Sequence, residues 1–268
     1  EMCIRDRCGY PLDKRIFPWN HANCGDLNLS GERRPQSYLR ETLWSDAPVS
    51  HIVVTPPVPS FPLNPDKADW SVWDFPDVVD HWNFPGYEGK KMTVSVYSNC
   101  EQVELFLNGE SLGKQENTAD KKNTLVWEVP YAHGILKAVS YNKGGEVGTA
   151  TLESAGKVEK IRLSADRTEI VADGNDLSYI TLELVDSKGI RNQLAEELVE
   201  FSIEGDATIE GVGNANPMSI ESFVANSRKT WRGSNLLVVR SGKSSGRIIV
   251  TAKVKALPVA SITITQKK

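Results

Sequence analysis

From Lys91 to the C-terminus, segment after segment alternates apolar and polar residues with a period of two. Successive side chains of an extended strand point to opposite faces, so each such segment buries one face and wets the other. A chain made of many of them must pair its strands into sheets and stack the apolar faces. The runs MTVSVYS and QVELFLNGESLGK open the pattern, and the Asn108-Gly109 pair inside the second marks a hairpin, because both residues accept positive φ. TLVWEVPY and GILKAVSYNKGGEVGTATLES bring the set to about six or seven strands, the content of a sandwich of roughly 100 residues. A second set follows Ser154-Ala155-Gly156: KIRLSADRTEIVADG, LSYITLELVDSKGI, LVEFSIEGDATIEGVGN, NLLVVRSGKSSGRIIVTAKV and ASITIT. Asp-Gly, Lys-Gly and Gly-Lys-Ser-Ser-Gly turns separate these runs. The fold class expected is mainly β, two sandwiches in tandem, with a last strand near Ala260 to Thr265. The two sets share no sequence period, so they are not a repeat array.

The first 90 residues are different. PQSYLRETLW, residues 35 to 44, fits a short helix: Pro35 suits the first turn, and Tyr38, Leu39, Thr42 and Leu43 share a face. A strand-like run from His51 to Thr55 then gives way to Pro56, Pro57, Pro59, Pro62, Pro65, Pro76 and Pro85. So much proline forbids a helix or a central strand and reads as an extended linker. Its Trp70, Trp73 and Trp82 are expected to pack against a neighbour; a carbohydrate platform is the alternative. The opening EMCIRDR lacks the apolar core of a signal peptide. Its Met-Cys-Ile-Arg-Asp-Arg resembles the translation of a transposase end sequence used in preparing sequencing libraries. Residues 1–7 are therefore expected to be an adapter scar, with a genuine tail as the alternative.

Composition removes several function classes. The 268 residues carry a formal charge of -4, which argues against a nucleic-acid surface. No apolar run is long enough to span a bilayer as a helix. Cys3, Cys8, Cys24 and Cys100 follow no metal-ligand spacing, so neither a metal nor a cofactor is expected, and a Cys24–Cys100 disulfide is disfavoured. Gly211-Val212-Gly213 and Gly242-Lys243-Ser244 sit in no βαβ unit and make poor phosphate loops. Trp231, with Arg228, Lys229 and Arg232, could touch an anionic glycan, but reads better as a solvated loop.

The odd beginning has a match. GYPLDKRIFPWNHANCGDLNLSGERRPQSYLRETLW resembles the last strand, loop and helix of the catalytic (β/α)₈ barrel in family 2 glycoside hydrolases, the β-galactosidase-like branch. HWNFPGYEGKKMTVSVYSNCEQVELFLNGESLGK is similar to the immunoglobulin-like domain after that barrel. VADGNDLSYITLELVDSKG and ESFVANSRKTWRGSNLLVVRSG are similar to the next C-terminal sandwich. The resemblance implies a barrel remnant at 8–50, the proline- and tryptophan-rich linker at 51–79, an immunoglobulin-like sandwich at 80–154 and a second, invasin-like one at 155–268.

It also implies chemistry. Parent enzymes of this kind remove terminal β-linked sugars, usually galactose, with retention, using two carboxyl groups roughly 5 to 5.5 Å apart. In the family both are glutamates on earlier barrel strands. Residues 8–50 offer no equivalent context, since Glu32 and Glu41 fall in the loop and helix after the final strand, so no catalytic residue is assigned and the chain alone is expected to be inactive. Trp19, Asn20, His21 and Asn23 would emerge at the C-terminal end of that strand, where barrel active sites lie. Trp19 could stack on a sugar ring while the others hydrogen-bond its hydroxyls. The plainer roles are a barrel plug for Trp19 and a loop cap for His21. Asp26 reads as a turn or helix-organising residue rather than an acid catalyst. The expected partners are a carbohydrate substrate, through the barrel, and the barrel itself, with oligomer contacts open. Relatives of this type are often periplasmic or extracellular. A carbohydrate-binding or cell-surface adhesion module is the competing reading, since tandem sandwiches serve all three. Without a barrel to bury its apolar face, the 8–50 segment is expected to be poorly stable.

Overall fold

The computed structural model describes residues 17–18, 25–60 and 76–268. The chain divides between Ser154 and Ala155 into two compact units, each described by itself.

In the first unit β1 (Ser50–Val54), β2 (Lys91–Ser98) and β5 (Thr124–Pro130) form one antiparallel sheet in the order β1-β2-β5. β3 (Gln102–Leu107), β4 (Glu110–Glu116), β6 (Ile135–Asn142) and β7 (Gly145–Glu153) form the other, in the order β4-β3-β6-β7. The period-two pattern does what it implied: along β5, Leu125, Trp127 and Val129 are buried while Val126 and Glu128 face out. The Asn108-Gly109 turn has φ of 52° and 88°, the left-handed pair that a two-residue hairpin needs. Asn108 also fastens the turn to the β5–β6 loop. Its Oδ1 accepts the Ile135 N–H at 2.8 Å and its Nδ2 donates to the His133 carbonyl at 3.2 Å.

Trp82 is fully buried at the centre of this unit. Phe84 and Tyr131 meet its ring edge-on at 5.9 and 4.9 Å. Its Nε1 donates to the Ala132 carbonyl at 2.8 Å, so the ring's one polar group is satisfied. Trp82 is therefore a core residue and not a carbohydrate platform; Trp70 and Trp73 lie outside the described residues. Both described ends of the proline-rich segment also belong to the sandwich. His51 to Val54 lie in β1, and Val54 and Val79 exchange two backbone hydrogen bonds of 2.8 and 2.9 Å.

In the second unit β8 (Lys160–Ala165), β10 (Leu177–Val185), β12 (Ala207–Gly213) and β14 (Ser234–Ser241) form one sheet in the order β12-β14-β10-β8. Facing it, β9 (Glu169–Val171), β11 (Leu198–Glu204), β13 (Ser227–Lys229), β15 (Gly246–Val254) and β16 (Ala260–Lys267) are ordered β13-β11-β15-β16-β9. β9 joins β16 in parallel; every other named pairing is antiparallel. Phe201, Ile180, Leu182, Leu237, Ile248 and Ile264 fill the space between the sheets. Fully burying a side chain of this kind contributes roughly 1.5–3 kcal/mol.

Trp82→Ala removes a fully buried tryptophan from the first core and is expected to cost about 3–5 kcal/mol. Calorimetry should show the loss in the first unit only; an unchanged melting profile would mean that Trp82 does not hold that core.

Candidate functional site

The sequence from Asp26 to Arg34 closes into a small hairpin. Backbone hydrogen bonds run from Asn28 N–H to Glu32 O at 2.9 Å, from Gly31 N–H to Asn28 O at 3.0 Å, and from Arg34 N–H to Asp26 O at 2.8 Å. Asn28 organises the turn. Its Oδ1 accepts the N–H groups of Ser30 and Glu32 at 2.9 and 3.0 Å, and its Nδ2 donates to Glu32 Oε2 at 3.0 Å. Gly31 supplies the positive φ of 79°.

Pro35–Ser37 then forms a 3₁₀ turn leading into α1 (Tyr38–Trp44). One face of α1 docks on the first sandwich, where Tyr38 and Leu39 pack against Val53, Val78 and Tyr97. So part of this segment, expected to be poorly stable without a barrel, has an apolar contact on the sandwich. Its carboxyl end is held as well. Asn123 Nδ2 donates to Thr42 O and Oγ1 at 3.3 and 3.1 Å, and Asn99 Nδ2 donates to Ser45 O and Ala47 O at 3.0 and 2.9 Å.

A closed set of charged and aromatic groups joins hairpin, helix and strand. Glu41 Oε2 accepts from Arg33 at 2.7 Å and lies 3.0 Å from His51 Nε2. The His51 ring stacks on Tyr38 at 4.0 Å between centroids and 10° between planes, and the Arg33 guanidinium lies 4.6 Å from the Tyr38 ring centre. Asp26 pairs with Arg40 across the same region. The Arg33 hydrogen bond holds the Glu41 carboxyl below its ordinary range. Burial lowers the His51 pKa and outweighs the upward pull of Glu41. Glu41 is engaged by both Arg33 and His51, so the cluster fastens hairpin, helix and strand to one another. Beside it is an open cleft of about 440 Å³, lined by Asp26, Leu27, Arg33, Arg40, Glu41 and Trp44 among others.

Trp19, Asn20, His21 and Asn23, the sugar-contact candidates, lie outside the described residues, as do Cys3, Cys8 and Cys24. Cys100 is a buried free thiol. Asp26 bonds within the hairpin through its backbone carbonyl, and its carboxylate pairs with Arg40 of the helix. Among the described residues no group of three His, Cys, Asp or Glu is arranged to hold a metal ion.

In the basic cluster near Trp231, Lys229 is exposed but Arg228 corrects the sequence reading. Arg228 is completely buried and does not sit on a solvated loop. Its guanidinium donates to Val212 O and Glu221 O, both at 3.2 Å, and to Ser219 Oγ at 3.0 Å, pinning the β12–β13 loop from inside. Nothing in the residue type announces this, because arginine is usually exposed. The Lys243 and Ser244 N–H groups at the Gly242 turn are taken by Asp206 Oδ2 at 2.9 and 2.8 Å, which agrees with their rejection as a phosphate loop.

Two β-sandwiches, with a helix and hairpin docked on the first, make up the architecture of the described residues. Residues 161–263 match the glycoside hydrolase family 2 C-terminal domain 5, and residues 89–148 match a domain of unknown function, DUF4982. The crystal structure of a family 2 glycosyl hydrolase from Bacteroides cellulosilyticus is 99% identical with a TM-score of 0.95, over 98% of this chain and 34% of that one. A β-galactosidase of Bacteroides ovatus is 30% identical over 253 residues, which is 94% of this chain and 26% of that protein. A putative β-glucuronidase of Formosa agariphila is 28% identical over 204 residues, 75% of this chain and 17% of that protein. The chain belongs to glycoside hydrolase family 2 and matches the C-terminal part of such enzymes. It spans about a quarter or less of the length of these two curated relatives.

Both shifted groups give the docking of α1 a pH dependence of the same sign, in different pH windows. A depressed His51 pKa means that its contribution is complete above the ordinary imidazole value of about 6.5 and is lost as pH falls below it; that of Glu41 is lost below about 4.3. Amide protection factors in α1, corrected for intrinsic exchange, should fall between about pH 7.5 and 5.5, and His51→Gln should flatten that fall. Equal slopes in both proteins would exclude His51 as the cause.

Proposed function

We propose that this chain is the accessory region of a retaining, exo-acting β-glycosidase, in which two immunoglobulin-like sandwiches support a preceding catalytic barrel. The observation that carries the reading is α1. One face is docked on the first sandwich, while Leu43 and Trp44 stand 63% and 79% exposed. Large apolar groups so placed on a helix suit burial against a further layer, which is the role of the last helix of a barrel. Glu41 is occupied by Arg33 and His51, and Glu32 by Asn28, so neither is available as a member of the catalytic pair. The chain by itself is inactive in this reading. Its substrate partner is a carbohydrate met through the barrel, and its main contacts are intramolecular, with oligomer contacts a further possibility for the sandwich surfaces.

β-Galactosides are the first substrate class, on the Bacteroides ovatus relative; β-glucuronides are second, on the Formosa agariphila relative. The choice belongs to barrel residues outside this chain. A panel of nitrophenyl β-glycosides, tested on this chain and on the full-length protein from the same gene, decides the matter. Hydrolysis by the full-length protein alone is expected, and the preferred sugar names the class. Hydrolysis by this chain would overturn its assignment as non-catalytic.

A further inference from the structure

We propose that Asn99 and Asn123 are positioning residues through which the first sandwich fixes the direction of α1, and with it the Asp26–Arg34 hairpin. A seven-residue helix is too short to hold itself together, and its last carbonyls need donors from elsewhere. The usual donor is local, a glycine or a side chain just past the end. Here the donors come from two separate sandwich loops. Asn99 lies between β2 and β3, and Asn123 between β4 and β5, in the left-handed region with φ of 60°.

Each amide is held before it reaches the helix. Asn123 Oδ1 accepts from Asn117 Nδ2 at 3.2 Å and its carbonyl accepts the Ser98 N–H at 3.0 Å, which leaves Nδ2 aimed at Thr42. Asn99 Oδ1 accepts the Val49 N–H at 2.7 Å, which leaves its Nδ2 for Ser45 and Ala47. A local cap only stops a helix; a donor to Thr42 O in its last turn and another to the segment just past it, at Ser45 and Ala47, both from sandwich loops, also set where it points. The Asp26–Arg40 and Arg33–Glu41 pairs carry that placement to the hairpin. On the reading of the chain as a glycosidase accessory region, the sandwich is then a strut for the barrel's closing helix, and its asparagines influence turnover without touching sugar.

Two measurements separate the clamp from that reading. In this chain, Asn99→Ala/Asn123→Ala should lower amide protection over residues 38–47 about tenfold or more, the loss of several net hydrogen bonds, while β3 and β6 are unchanged. Asn142→Ala, which removes the acceptor of the Glu101 N–H within the sandwich, should leave the helix as it was. If the double alanine variant does not fold, Asn99→Asp and Asn123→Asp replace it: they keep an acceptor oxygen and turn each donor to the helix end into a charged oxygen facing its carbonyls. Unchanged helix protection in either form overturns the clamp.

In the full-length enzyme the same double substitution should lower kcat about tenfold with KM nearly constant, and Asn142→Ala should not. A loosened helix with unchanged kcat overturns the positioning role. A full-length protein with no glycosidase activity overturns the reading on which that role rests, and the exchange measurement still decides the clamp.

Discussion

The first unit depends on the burial of Trp82. The ring comes from the proline-rich segment and lies outside the named strands, yet it is buried in the core of the unit and is closed in by Phe84 and Tyr131. Because Nε1 finds the Ala132 carbonyl, the whole side chain is buried at no polar cost. The segment around it is thereby committed to the sandwich: Ser154 Oγ donates to the Trp82 carbonyl, and Val79 pairs with Val54 in β1. With β1 fixed, His51 and Val53 are in place to receive α1.

Polar groups then decide what packing alone leaves loose. Tyr38 and Leu39 supply only a small apolar contact for α1. The asparagine donors at its end and the Glu41, Arg33 and His51 set along its side make the orientation specific. Exposed ion pairs contribute little by themselves. Their value here lies in geometry, since one carboxylate oxygen ties the hairpin arginine to the strand histidine. In the second unit Arg228 plays the corresponding part, ordering a long loop from within through three hydrogen bonds.

Most of the fold was legible because period-two patterning reports directly on a two-layer sheet structure. The strands from Lys91 onward, the Asn108-Gly109 hairpin and the short helix could all be read locally. What escaped has a common physical cause. The three residues of β13 are too few to show a period, and β9 joins β16 in parallel across nearly 100 positions of sequence. The joining of His51 to Val54 with β2 depends on a partner some 45 residues away, and the proline run between them hid it.

The sequence by itself determined the mainly β architecture, the turns and the family, because these follow from local alternation, local dihedral preference and ordered motifs. Only the tertiary structure decided that Arg228 is buried, that Trp82 is core, and that Asn99 and Asn123 reach the end of α1. Each of these is a hydrogen-bonding or burial relation between residues far apart in the chain. Residue type fixes what a side chain can donate or accept, and only the packed backbone fixes to whom.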